Sequence, residues 1–393
     1  MNDIEVRLLQ GEERFDADVI STVCFHGKIQ DPETRKKEAA AETREDWGAF
    51  SADGTLMAHI INNKFESRLD GSLVKNGGIG AVSTLPEYRE SGAIRHIFGK
   101  LLPEAYKNGE VISTLYPFNH AFYRKFGYDT LVHRNTYEFP PEVLRGCRFT
   151  GTAELWKTGD PVRPYTDLYT EFISGINLAI RRDDEAMLRH LKGVYYQDRK
   201  FCYLLSDEEG PAAYVIWQDI RHDPQAILSV EDLAFSGRRG FQAVLGFLAR
   251  FTADYGTIRL SLPTGIELLS LIRSPMAYDI KKSVSQNYMI RVINVKKLLE
   301  AIRKPDGAEF VIRVDGDELI PENNGIFRVS GGTVEDTDEA PDLAVSSRAL
   351  GQMAAGGMDL SEAMLRQDVE VCSNEAVLRQ VFTRKSLMIE DYF

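Results

Sequence analysis

Thiols are few and scattered in this chain. Its 393 residues hold four cysteines, Cys24, Cys147, Cys202 and Cys372, with no C-x-x-C pair among them. That spacing argues against a disulfide framework and against a cysteine zinc site, and it fits inert thiols in a reducing cytoplasm. Long apolar runs are missing too. The longest, such as Ala243 to Phe251, are interrupted by Gly and Arg and are too short to span a bilayer. The N-terminus, MNDIEVRLLQ, has no basic cap followed by an apolar stretch, so no signal peptide is expected. The seven histidines show no metal-ligand spacing, and no H-E-x-x-H, G-x-S-x-G or Walker loop occurs. His26 and His120 are weighed as acceptor-site residues against the plainer reading of ordinary surface or core positions. Positive charge is in deficit, with 47 Lys and Arg against 59 Asp and Glu and a net charge of −12. Such a chain lacks the basic footprint that nucleic acid requires and suits cationic partners such as amines, polyamines or basic peptides.

What is present is ordinary globular material, 43% hydrophobic and 27% charged, long enough for two or three domains. Strand and helix signals alternate, which makes the fold class α+β (α/β). Ile4 to Leu9 reads as a strand and Arg14 to Phe25 as a helix. Thr34 to Arg44 is a second helix, and Trp47 to Ser51 and Thr55 to Phe65 form a hairpin about Asp53-Gly54. Asn76-Gly77-Gly78 resembles another turn. Ile79 to Thr84, Gly92 to Asn108, Val111 to Tyr116 and His120 to Phe126 then read as strand, helix, strand and short helix. The double proline in Phe139 to Arg145 looks like a linker, after which the alternation restarts. There Tyr165 to Arg181 reads as one helix and Gly265 to Ile272 follows a strand. A third segment begins near Tyr288, with Met289 to Val295 as its first strand. Its glycine- and acid-rich stretches, Asp315 to Asn324 and Gly331 to Asp342, read as exposed loops. The expected domains are thus 1–145, 146–287 and 288–393.

The informative stretch is IGAVSTLPEYRESGAIR, from Ile79 to Arg95. A short strand ends in a Pro-containing turn, and an Arg-x-x-Gly loop opens a helix. A helix start carries unpaired N–H groups and the positive end of the macrodipole, which together bind phosphate. Gly92 permits close approach of a ligand, and Arg89 supplies a charge-assisted bond to a pyrophosphate. The strand Val82 to Thr84 offers backbone groups to an extended amide-bearing arm. In isolation an Arg-x-x-Gly is common. Its context here is a following strand, Asn119, and the run AFYRKFGY from Ala121 to Tyr128.

That order of elements resembles the GCN5-related N-acetyltransferase (GNAT) superfamily. The strings AVS-x-x-P-x-x-R-x-x-G and Y-x-x-F-G-Y, in a chain ending in Phe, resemble the enhanced intracellular survival (Eis) family over essentially the whole length. The resemblance implies tandem GNAT-like domains followed by a sterol-carrier-protein-like C-terminal domain, and acetyl-CoA as the acyl donor. It implies coenzyme contacts from Val82, Ser83 and Thr84, from the phosphate loop Arg89, Glu90, Ser91, Gly92, Ala93, Ile94 and Arg95, and from Phe118 and Asn119. Glu90-Ser91 departs from the family, which often carries several basic residues in this loop. Trimers or hexamers are also implied by the resemblance, not by any interface in the text.

Acetyl transfer from a thioester to an amine moves two protons. The resemblance places the general acid at Tyr123, and a phenol is still protonated at neutral pH. It places the second group at the C-terminal carboxylate of Phe393, which ends the tail Glu390 to Phe393. An α-carboxyl is a feeble base in water, so it needs desolvation, a bridging water, or an amine already poised to lose its proton. In the second segment, Phe235 to Gly240 (FSGRRG) sits where a second phosphate loop would be, but lacks its spacing and any counterpart of Tyr123. The leading expectation is therefore an acetyl-CoA-dependent N-acetyltransferase of the cytoplasm. Its acceptor would be an amine-bearing small molecule, such as an aminoglycoside-like polyamine, or a peptide lysine, with no nucleic acid, membrane or metal involved. The alternatives are a non-catalytic acyl-CoA or lipid-binding protein, and a transferase for a longer acyl group, which the bulky Phe118 and Phe122 disfavour.

Overall fold

The computed structural model describes residues 4–42, 44–192, 199–222, 225–272, 278–285 and 287–393. Three sheets organise them. The first contains β1 (Glu5–Leu8), β2 (Glu45–Phe50), β3 (Leu56–Leu69), β4 (Ser72–Thr84), β5 (Ile112–Leu115) and β6 (Asp129–Thr130). Strands β1 to β4 run antiparallel in chain order, and β4 pairs in parallel with β5. Side chains alternate across the sheet. Trp47, Ala49 and Met57 face the apolar stripe of helix α3 (Ala93–Lys107), while Phe50 and Leu56 meet Ala17 and Ile20 of helix α1 (Glu13–Phe25). Helix α2 (Pro32–Ala41) packs on α1, and its start is capped by the Asp31 carboxylate, which accepts from the Thr34 N–H.

Several expectations need correction. The turn falls at Asp70-Gly71, not at Asn76-Gly77-Gly78. Both turn residues have positive φ, 51° and 90°, and Leu69 pairs directly with Ser72, as a two-residue hairpin loop requires. Gly77 and Gly78 instead lie inside β4, where packing excludes a side chain. A Cβ on Gly77 would come 2.2 Å from Glu110 Oε2, and one on Gly78 would come 2.4 Å from the Phe65 ring. The helix expected over Tyr165 to Arg181 ends at Phe172, after which a single tight turn, Ile173–Gly175, leads into extended chain. The segment Gly265 to Ile272, which follows the strand Thr257–Leu262, holds one turn of helix, Leu268–Ser270. The loop expected over Gly331 to Asp342 contains a strand, Thr333–Asp336.

Sheet membership also departs from the expected boundaries at 145 and 288. The stretch expected to be a linker follows directly on strand Asn135–Phe139, which belongs to the second sheet, and Pro141 and Leu144 are buried there. Strand Met289–Val292 is inserted between β5 and β6 of the first sheet. Each strand joins the sheet whose edge its own apolar face completes; Met289 and Ile293 sit in the α3 core and Tyr137 and Phe139 in that of the second sheet. The second sheet repeats the plan of the first. A long antiparallel pair, Gly210–His222 with Gln225–Phe235, leads into helix Gly237–Leu248 and then a parallel strand, Thr257–Leu262. The third sheet has five strands with helices Val295–Ala301, Ser347–Ala355 and Glu375–Val381 against it. Its core is continuous with the first sheet through Leu69, Ile112 and Ile290.

Candidate active site

Strands β4 and β5 are paired only from Asn76 with Ile112 to Ile79 with Leu115. Beyond Ile79 they part. The cause lies in β4, which carries one extra residue opposite Ile60 of β3, with Ala81 at a φ of 50°. A bulge of this kind bends its strand and re-aims the residues that follow. Val82, Ser83 and Thr84 therefore border an open cleft rather than a neighbouring strand. Across it stands helix α4 (His120–Arg124), whose start is capped by Asn119 Oδ1 accepting from the Phe122 N–H at 3.0 Å.

This cleft has a volume of about 630 Å³. It is bordered by Val82, Ser83, Thr84, every loop residue from Arg89 to Arg95, and Phe118. Asn119 does not border it, and its side chain is occupied as the helix cap. Gly92 begins α3 with a φ of 85°, and Glu90 also has a positive φ, of 66°. Only the Ala93 N–H in this first turn finds an acceptor, Ser91 Oγ at 3.3 Å; those of Gly92, Ile94 and Arg95 find none among the described residues. Unpaired donors at a helix start form an anion site. Arg89, Arg95 and Lys125 border the cleft without entering an ion pair among the described residues, against the single carboxylate of Glu90. Lys125 is a residue the sequence reading passed over. Its signal was its place in the AFYRKFGY run, where Arg124 is taken up by Asp129 at 3.0 Å and Lys125 is not. Cys24 and Phe25 of α1, also unforeseen, reach the cleft from a part of the sequence with no motif.

Tyr123 is buried behind the cleft, its ring packed on Phe118 at 5.3 Å, Phe122 at 5.2 Å and Tyr128 at 6.3 Å. Burial raises its phenol well above the usual tyrosine value, so it keeps its proton at neutral pH. Its hydroxyl has no protein partner among the described residues, whereas Tyr128 shares a hydrogen bond with Ser113 Oγ at 2.7 Å. The difference leaves Tyr123 with a proton to offer elsewhere.

The C-terminal tail is bound, not frayed. Leu387, Met388 and Ile389 are buried. The Glu390 carboxylate meets Arg134 at 2.6 Å. The Asp391 carboxylate accepts from Arg182 at 2.9 Å and meets His190 Nε2 at 2.8 Å, and its backbone carbonyl accepts from the Tyr116 hydroxyl at 3.0 Å. Arg182 is itself fully buried and is also held by Asp232 at 2.5 Å. The Phe393 ring packs on Phe65 at 5.0 Å and on Tyr116 at 5.6 Å. A Cβ on Gly80 would stand 3.3 Å from the terminal carboxyl carbon of Phe393. The carboxylate thus lies over β4 beside the bulge, two residues before Val82, and no cation among the described residues pairs with it. Arg182 and His190, which hold Asp391, come from the second segment of the chain, and Arg134 and the strand beneath the tail from the first.

A second cavity, again of about 630 Å³, opens beside the tail between the first two domains and is bordered by Phe65, Arg182, His190, Lys200, Asp391 and Phe393 among others. His190 was not foreseen as a site residue. His26 and His120 do not border this cavity, and His26 closes helix α1 in the left-handed conformation. In the second domain, Arg239 of the FSGRRG segment is bound by Asp207 at 2.5 Å and by the carbonyls of Gly210 and Pro211, and Gly240 packs against Ala212 O. No cluster of metal-binding side chains is found among the described residues, nor any helix long and apolar enough to cross a membrane.

The parted parallel strands, the helix start between them and the tyrosine beyond define a class of protein. Residues 5–131 match the acetyltransferase (GNAT) domain family, and residues 295–389 match the sterol carrier protein domain family. The chain carries both, and its first domain makes it an acetyltransferase. Solved structures extend the likeness to the whole fold. A conserved protein from Enterococcus faecalis, described as a probable N-acyltransferase, superposes with a TM-score of 0.85 at 19% identity over the full length of both chains. A GCN5-related N-acetyltransferase from Anabaena variabilis gives 0.85 at 21%, and Eis1 from Mycobacterium abscessus gives 0.82 at 22%, each again over all of both chains. Among curated proteins none matches this chain.

Proposed function

We propose that this protein transfers an acetyl group from acetyl-CoA to a primary amine, with Tyr123 as general acid and the Phe393 carboxylate as the group that receives the amine proton. The observation that carries the reading is the position of the Phe393 carboxylate. It lies over Gly80, two residues before the stretch Val82 to Thr84 that borders the coenzyme cleft, while Phe393 itself borders the cavity beside the tail. The amine nitrogen forms the new bond to the thioester carbonyl carbon and the carbon–sulfur bond breaks. One proton leaves the nitrogen for the carboxylate, and one passes from the Tyr123 hydroxyl to the departing sulfur. A lone α-carboxylate is a weak base in water. Here it acts by position: the Phe393 ring is anchored on Phe65 and Tyr116, and no cation among the described residues competes for the carboxylate. In the coenzyme cleft the free N–H groups of the α3 start, with Arg89, Arg95 and Lys125, would hold the phosphates, and the edge of Val82 to Thr84 would hold the amide arm. The aromatic side chains of Phe118, Phe122 and Phe126 border that cleft and favour a short acyl group.

The acceptor is an amine-bearing small molecule or a lysine side chain. Two tail variants test the assignment, one lacking Phe393 and one extended by a single glycine. Both are expected to keep their fold and coenzyme A affinity and to lose thiol release by about a hundredfold or more, the usual size of a lost acid or base. Full turnover by the extended form would remove the carboxylate from the mechanism.

A further inference from the structure

The cavity beside the tail differs in charge from the chain as a whole. The sequence has a net charge of −12, which suited a polycationic acceptor. Yet five cationic side chains border this cavity, Lys64, Arg181, Arg182, Arg189 and Lys200, against three carboxylate side chains, Glu66, Asp183 and Asp391.

Each of those three carboxylates is already engaged. Glu66 faces Arg181 at 3.3 Å. Asp183 caps the following helix, accepting from the Ala186 N–H at 2.8 Å. Asp391 is held by Arg182 and His190. A polyamine needs several free anions, and the Phe393 carboxylate is the single one left along the described part of the wall. Among the cations, too, all but one are engaged. Lys64 is paired with Glu45 and Glu110, Arg189 with Glu185, and Arg182 with Asp232 and Asp391. Lys200 lies half-buried on the same wall with no partner among the described residues. A half-buried ammonium without a counter-ion gains from an anion brought in by a ligand.

We infer that the acceptor is a small amine that also bears a carboxylate, an amino acid or a short acidic peptide, with its amine at Phe393 and its carboxylate at Lys200. The inference rests on the assignment of Phe393 above. The site then binds a zwitterion, one charge to each end, and rejects polycations because it offers them no second anion.

The test compares acetyl-CoA turnover with three acceptors: an ω-amino acid, the alkylamine of the same chain length, and spermidine. The expected order has the ω-amino acid ahead of the alkylamine by about tenfold in kcat/KM, mostly through KM, with spermidine no better than the alkylamine. Lys200→Met is expected to bring the ω-amino acid down to the alkylamine's level and leave the alkylamine unchanged. Lys200→Glu should invert the order and favour a diamine. Equal kcat/KM for the two monoamines, preference for spermidine, or an equal effect of Lys200→Met on both would overturn the inference while leaving the transferase reading intact. Absence of thiol release with every amine would instead sink the Phe393 assignment, and this inference with it.

Discussion

The terminal carboxyl carbon of Phe393 lies so close over Gly80 that a Cβ on that glycine would stand 3.3 Å from it. Residues 313 positions apart in the chain thereby meet beside the bulge of β4. The glycine leaves room for the carboxylate, and the bulge turns the strand away from β5 and opens the cleft along Val82 to Thr84. Active groups held to a few tenths of an ångström lose rate quickly when displaced.

Gly80→Ala should therefore press on the carboxylate and on Asn63 Nδ2, which the new methyl would also approach to 3.3 Å. Turnover is expected to fall by about tenfold or more, with coenzyme A affinity unchanged. Steady-state kinetics beside calorimetric titration of coenzyme A separate the two effects. A parallel loss of affinity would mean that the methyl distorts the strand rather than the tail.

Tyr123→Phe keeps the ring in its contacts with Phe118 and Phe122 and removes only the hydroxyl. That hydroxyl has no protein partner among the described residues, so stability should change little. A fall in kcat of about a hundredfold or more is expected for a lost general acid. Unchanged kcat would leave Tyr123 as a packing residue.

The Asp391 carboxylate is pulled down to about 2, despite its burial, by Arg182 and His190. Asp391→Asn leaves the fully buried Arg182 with Asp232 alone. Breaking a buried ion pair costs about 3 to 5 kcal/mol. Both thermal stability and turnover should drop, since the tail that presents Phe393 loses its clamp. A destabilised variant with full activity would show that the tail is held in place by its other contacts.

Glu390 sits with one oxygen on Arg134 and the other buried without a partner. Burial pushes its carboxyl up to about 8, only partly offset by Arg134. The folded state therefore holds this proton more tightly than the unfolded chain, whose value is near the ordinary ~4.5. Stability from this group is full below that value and is lost as pH rises through 8, by up to about 1.4 kcal/mol for each unit of the rise. Thermal melts between pH 5 and pH 9 should show the decline, and Glu390→Gln should flatten it. An unchanged slope in that variant would assign the decline to other groups.

Glu90 is the lone carboxylate among three unpaired cations at the coenzyme cleft. Glu90→Gln removes the charge and keeps the shape. Coenzyme A should bind about two- to fivefold tighter at low salt, with the gain shrinking as salt rises. Lys125→Met should shift affinity the other way. Equal affinities at low salt would mean that these side chains point away from the bound phosphates.

The cleft along Val82 to Thr84 was legible in the sequence as a feature of the fold because most of its wall is one contiguous stretch. Strand, loop, helix, strand and short helix follow each other from Ile79 to Tyr128, and each carries its own local signal. Asn119 shows the limit of that reading, since it lies in the right place but is occupied as a helix cap. Lys125 shows the converse, a cation inside a recognised motif whose freedom depends on which partner its neighbour Arg124 takes.

Other features had no local signal at all. Asn76-Gly77-Gly78 has the composition of a turn, and only Glu110, Phe65 and Phe393 packed against it explain why glycines stand in a strand. The strands Asn135–Phe139 and Met289–Val292 change sheets because of the edges available to them, which the linear text does not show. What the amino-acid order determined by itself is the set of elements, the anion-binding helix start and a buried phenol beside it, since these depend on neighbours a few residues apart. What only the tertiary structure decided is how the tail is held: Arg182 and His190 lie 209 and 201 residues from the Asp391 they hold. Contacts across such separations form only when the three sheets have packed on one another, so the cavity they border appears nowhere in the local pattern.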